Sequence, residues 1–126
     1  MNLMRTKPAA NDAKWEAVTE EIRSILTDIA RQGLPPISYS ELCRHIQTAS
    51  IHYHSHLLTR LLIEVGRREM EAGRPVLPAL VVSKQSGIPG PGYFKVADSH
   101  DSLPDADARQ QWQADLDQVY AYWSKY

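Results

Sequence analysis

The chain has 126 residues, with 14 Lys and Arg against 15 Asp and Glu, a net charge of −1, 43% hydrophobic and 23% charged residues. That is the make-up of one ordinary globular domain with enough chain for a real core, and no overall basic excess marks it as a nucleic-acid binder. Its one cysteine, Cys43, excludes an internal disulfide framework. A lone thiol, an N-terminus (MNLMRTKPAAND) without an apolar leader and the lack of any 18-residue apolar run lead us to expect a cytoplasmic protein with no membrane span.

Charge is unevenly spread. Residues 1–51 balance at six basic and six acidic groups, residues 52–97 carry six basic against three acidic, and residues 98–126 carry two basic against six acidic. The middle of the chain is therefore at +3 and the end at −4, and local field matters more than the sum.

In chain order, residues 1–11 read as a flexible lead. Trp15, Val18, Ile22, Ile25, Leu26 and Ile29 then recur at three- and four-residue spacing, which predicts an amphipathic helix over 13–32. Asn11 or Asp12 is expected to cap it, and Gly33 with Pro35 and Pro36 to end it. Ile37 is extended, and Ser38 followed three residues on by Glu41 is a capping-box pattern for a second helix over 39–48, with Leu42 and Ile46 inward. A third helix over 55–72 has Leu58, Leu61, Leu62 and Val65 as its inner stripe and Gly73 at its C′ position.

LPALVVSK and GYFKVA, with Gly87, Gly90 and Gly92 and two prolines between them, predict a hairpin over 78–97. Ile37 can join it as a third strand, since two strands alone are marginal. A final helix over 105–124 gathers Trp112, Leu116, Val119, Tyr120 and Trp123 on one face. The expected class is α+β, mainly α. It is a single winged helix-turn-helix domain of three helices and a hairpin wing, with an additional C-terminal helix.

ISYSELC, the leucine-rich helix ending EAGRP, and ALVVSKQSGIPGPGYF together resemble small bacterial and phage winged-helix proteins and domains, some beside nuclease domains of restriction type. The resemblance spans residues 37–124 and implies a DNA-binding scaffold, but little mechanism. A weaker likeness to the winged-helix domain of the DNA alkyltransferases stops at chemistry. Where those carry a Pro-Cys-His-Arg box, this chain has Pro78, Ala79, Leu80 and Val81. Without a nucleophilic cysteine there the transfer cannot proceed. Cys43 reads as a small buried apolar residue.

The third helix would be the reading helix, presenting His56, Thr59, Arg60, Arg67 and Arg68, with Arg60 and Arg67 on one face. The plainer alternative is a solvated face, because Glu64–Arg68 and Arg67–Glu71 have ion-pair spacing. His52, His54 and His56 alternate in IHYHSH, but the helix start breaks their alignment, so contact with phosphate or plain exposure is expected rather than a metal site. In the wing, Lys84, Gln85 and Lys95 either touch the DNA backbone or merely keep a sheet edge soluble. No paired carboxylates, activated nucleophile or phosphate loop is visible, so no enzyme, cofactor or metal is expected.

The expected partner is double-stranded DNA, bound by a small regulator or accessory factor. A homodimer through the aromatic C-terminal helix is also expected. The alternative is a winged-helix module that binds protein through those aromatics.

Overall fold

A computed structural model describes residues 10–52, 55–90, 93 and 106–126. In order these form α1 (Ala10–Gln32), β1 (Ile37–Ser38), α2 (Tyr39–His45), α3 (His56–Glu71), a 3₁₀ turn (Leu77–Leu80), β2 (Val81–Val82) and α4 (Ala106–Trp123). Among the described residues the architecture is mainly helical with one small sheet, and no helix is long and apolar enough to cross a membrane.

α1 is the central element, packing against α2, α3, α4 and the 3₁₀ turn. Its inward stripe is the expected one, with Val18, Ile22, Leu26 and Ile29 buried and Trp15 and Ile25 partly so. Thr19 and Thr27 are buried in the same helix. Their hydroxyls donate to the carbonyls of Trp15 (2.7 Å) and Ser24 (3.0 Å), which removes the cost of hiding them. The helix is already running at Asn11 and Asp12, so neither residue is the cap expected there.

α1 and α3 end alike. The N–H of Leu34 donates to the Ile29 carbonyl and that of Gly33 to Ala30, while Arg74 donates to Glu69 and Gly73 to Met70. This 6→1 and 5→2 pattern needs a left-handed residue at the turn, and Gly33 (φ 67°) and Gly73 (φ 75°) supply it.

Ser38 caps α2 by accepting from the Glu41 N–H at 3.2 Å, and Leu42 is buried as expected. Only half of the capping box forms, because the Glu41 carboxylate pairs with Arg44 instead. α2 stops at His45, with Ile46 turning to extended backbone and burying its side chain, three residues short of the expected end.

The segment expected to form the hairpin differs most. Leu77–Leu80 is a fully buried 3₁₀ turn rather than strand, and only Val81 and Val82 are extended. They pair in parallel with β1, Ile37 to Val81 and Ser38 to Val82, instead of opening an antiparallel ladder. Tyr93, expected in the second strand, is helical and buried, and residues 94–97 lie outside the described residues. The physical reason is burial: Leu77, Pro78, Ala79 and Leu80 are all needed in the core between α1, α3 and α4, and an alternating strand would have turned half of them outward.

α4 closes the core with Ala108, Leu116, Val119 and Trp123 buried. The Trp112 Nε1–H donates to the Ala79 carbonyl (2.9 Å), and the Tyr120 hydroxyl donates to the Leu34 carbonyl. The aromatic stripe expected as a dimer face thus packs largely into the chain's own body.

Candidate nucleic-acid interface

α3 starts at Ser55, whose hydroxyl accepts from the Leu58 N–H at 3.3 Å. Leu58, Leu61, Leu62, Val65, Gly66 and Glu69 face inward, which leaves His56, Thr59, Arg60 and Arg67 exposed on the outer side. The linker before it is held down by Glu21 on α1, whose carboxylate accepts from the backbone N–H of Gln47 (2.7 Å) and Thr48 (3.1 Å). Burial pulls the Glu21 pKa up, but these hydrogen bonds outweigh it and leave it lowered.

The outer side of α3 is not electrically uniform. Its first turn has no acidic residue, and Arg60 has no ion pair among the described residues. From Glu64 onward the picture changes. The Glu64 carboxylate receives Arg67 through Nε (3.0 Å) and Nη2 (2.6 Å) and Arg68 through Nε (2.7 Å). Arg67 Nη1 reaches Glu71 at 2.5 Å.

Arg68 turns away from the outer face to α1, donating to Glu16 through Nη1 (2.7 Å) and Nη2 (2.8 Å), with Glu20 at 3.4 Å. Hydrogen bonds from Arg67 and then Arg68 hold the Glu64 pKa down at about 2, and that of Arg68 lowers Glu16. Both arginines are raised in turn, Arg67 chiefly by Glu64 and Arg68 chiefly by Glu16. Beside this lattice Ile63 and Met70, with Arg67 and Glu71, line a shallow open depression.

Behind this surface lies a charge that sequence reading missed. Glu69 is fully buried and accepts from Arg23 Nε of α1 (2.8 Å) and from Arg74 Nε and Nη2 (both 2.9 Å). Burial raises its pKa, but the bonds from Arg74 and Arg23 outweigh that and leave it lowered. The one available signal was its place on the inner stripe, four residues after Val65.

The second candidate element is the loop after β2. Because β1 and β2 run in parallel, this loop and the start of α2 leave the sheet at the same end. The loop closes through Ser83 N–H to the Ile88 carbonyl and Gly87 N–H to the Ser83 carbonyl, both 2.8 Å. Its far limb is tied to α2, where the Tyr39 hydroxyl accepts from the Gly90 N–H at 2.6 Å and Pro89 is buried. Burial raises the Tyr39 pKa. Tyr93 then donates to the Asp115 carboxylate of α4. What projects is the tip, with Lys84 and Gln85 exposed.

Of the expected DNA-contacting residues, the structure leaves His56, Thr59, Arg60, Lys84 and Gln85 outward and without a carboxylate partner among the described residues, whereas Arg67 is outward but held by Glu64 and Glu71. His54 and Lys95 lie outside the described residues. Among the described residues no group of three His, Cys, Asp or Glu side chains is placed to hold a metal ion. Cys43 is half-buried, and burial raises its thiol pKa. Comparison with protein families, with curated proteins and with solved structures finds no match to this chain.

Proposed function

We propose that this chain is a DNA-binding protein of helix-turn-helix type, a non-enzymatic regulator or accessory factor. α3 approaches duplex DNA with its N-terminal half, and the loop over residues 83–90 takes the place of a wing. The element order supports this reading: α1, β1, α2, α3, β2 and a basic-tipped loop follow the winged-helix order, although β1 and β2 are joined differently.

The observation that carries it is the charge asymmetry along α3. His56, Thr59 and Arg60 face outward in a stretch without a carboxylate, and Arg60 has no intramolecular ion pair among the described residues. A free guanidinium can neutralise a phosphate or take the O6 and N7 of guanine, while one already held by carboxylates must first give those up. Lys84 and Gln85 on the loop tip add phosphate contacts, which position a protein without reading sequence.

The protein-binding alternative rested on the aromatics of α4. Trp123 is buried, and the partly buried Trp112 and Tyr120 bond to the body of the domain, which leaves less aromatic surface to support that reading.

The test is a titration of fluorescent mixed-sequence duplex at several salt concentrations. Binding should weaken steeply with salt, and Arg60→Ala should reduce the log–log slope by about one unit. No duplex binding at low salt would overturn the proposal.

A further inference from the structure

The carboxylates on the second half of α3 are unexpected beside a surface meant for phosphate. Glu64 and Glu71 lie on α3, and Glu16 and Glu20 reach across from α1. Four carboxylates thus meet two guanidiniums, Arg67 and Arg68, and the patch carries −2. Arg67 is seven residues from Arg60 and exposed on the same outer row, where a reading helix would need a free cation. Instead its Nε and Nη2 are given to Glu64 and its Nη1 to Glu71.

We infer that this lattice limits the DNA footprint: Glu71, with Glu64, keeps Arg67 from the phosphate backbone, so contact is confined to the first half of α3. The inference rests on the DNA-binding reading and makes Glu64 and Glu71 determinants of specificity. Sequence-independent affinity comes from phosphate neutralisation, so an arginine withheld from the backbone lowers binding to all duplexes alike. Contacts to base edges from residues such as Arg60 then make up a larger share of what remains.

Two features distinguish this arrangement from a helix surface that merely has paired charges. Glu64 is shared between Arg67 and Arg68, so the guanidiniums are bound into one network rather than isolated pairs. That network is also tied to α1 through Glu16 at two bonds, which fixes the carboxylates against the helix they screen. The first half of α3, in the same helix and on the same row, has no counterpart among the described residues.

Both carboxylates have to be changed, because Glu64 alone would still hold Arg67 through Nε and Nη2. Their side chains are 32% and 65% exposed, so the double variant Glu64→Gln/Glu71→Gln removes the charges without opening the core. The experiment measures binding of wild type, the double variant, Arg67→Ala and Arg60→Ala to a 30-base-pair mixed-sequence duplex across a salt series, with melting temperatures recorded for each variant. The double variant is expected to bind about three- to tenfold tighter at low salt, with a slope steeper by about 0.9, the value for one additional phosphate. Arg67→Ala should leave the slope of the wild type unchanged, because a screened arginine makes no phosphate contact, while Arg60→Ala should lower it.

If wild type binds and Arg60→Ala lowers its slope, but Glu64→Gln/Glu71→Gln gains nothing, the screening inference fails and the DNA-binding reading stands. A slope lowered by Arg67→Ala also overturns the screening inference, since it places Arg67 on the backbone. If neither wild type nor Glu64→Gln/Glu71→Gln binds duplex, both fail.

Discussion

α3 and α4 look alike in one respect: each carries a row of side chains that reads, in sequence, as a surface for a partner. The structure separates them. In α4 the row is aromatic, and each ring that turns inward brings a large apolar area, with partners at hand for the polar atoms of Trp112 and Tyr120. In α3 the outer row is charged, and charged groups stay in water unless paired. Its arginines are therefore sorted by neighbouring carboxylates, Arg67 and Arg68 into a network and Arg60 out of it. The same helical spacing made core in one helix and a charge-graded surface in the other, and the difference lies in side-chain chemistry.

The comparison is broken most severely at α4. Trp123 is 5% exposed and lies beneath the guanidiniums of Arg23 (5.6 Å) and Arg31 (5.1 Å). Trp123→Ala should cost about 3–5 kcal/mol in denaturant unfolding. Trp123→Phe should cost clearly less, because the buried indole N–H has no acceptor among the described residues and its removal loses no hydrogen bond to them. A Trp123→Ala protein with unchanged stability would show that α4 belongs to a surface after all.

A smaller loss is expected at the inner side of α3. Glu69→Gln should destabilise by about 2 kcal/mol, the scale of hydrogen bonds to charged groups. The sign of the pH effect follows from the lowered pKa. Such a carboxylate stabilises the fold above its unfolded value, near 4.5, and that stabilisation is lost as pH falls through the folded value. Glu64 acts in the same sense between 4.5 and about 2. Wild type should therefore lose stability faster than Glu69→Gln as pH drops below 4.5, and parallel curves would remove Glu69 from the account.

The loop tether is worth less again. Tyr39→Phe deletes the acceptor for the Gly90 N–H and should cost about 1 kcal/mol, with faster hydrogen exchange confined to residues 83–90. Uniformly faster exchange would mean the tyrosine supports the whole core instead.

Helices were legible because their signals are local. The stripes of α1 and α3, the cap at Ser38 and the turns at Gly33 and Gly73 depend on residues within one or two helical turns. So do the pairings of Glu64 with Arg68 and Arg67 with Glu71, which spacing alone anticipates. What was not legible is what depends on distant chain. LPAL has strand-forming neighbours, but it bends into a 3₁₀ turn because α1, α3 and α4 meet there. Arg68 reads as outward until Glu16, 52 residues away, is found beside it, and the buried Glu69 needs Arg23 from 46 residues away. At the candidate site, residue identities and the Arg67–Glu71 pairing were readable, but the inward turn of Arg68 was not, since that depended on carboxylates brought from α1.

The most direct measurement is the salt dependence of duplex binding by wild type and Arg60→Ala. Arg60 is exposed and outside the ion-pair network, so the variant should melt within about 0.5 kcal/mol of wild type. Wild type should bind mixed-sequence duplex at low salt, and Arg60→Ala should bind more weakly with a slope reduced by about one unit. Equal affinities and equal slopes for the two proteins, both folded, would contradict the claim that the first half of α3 meets DNA.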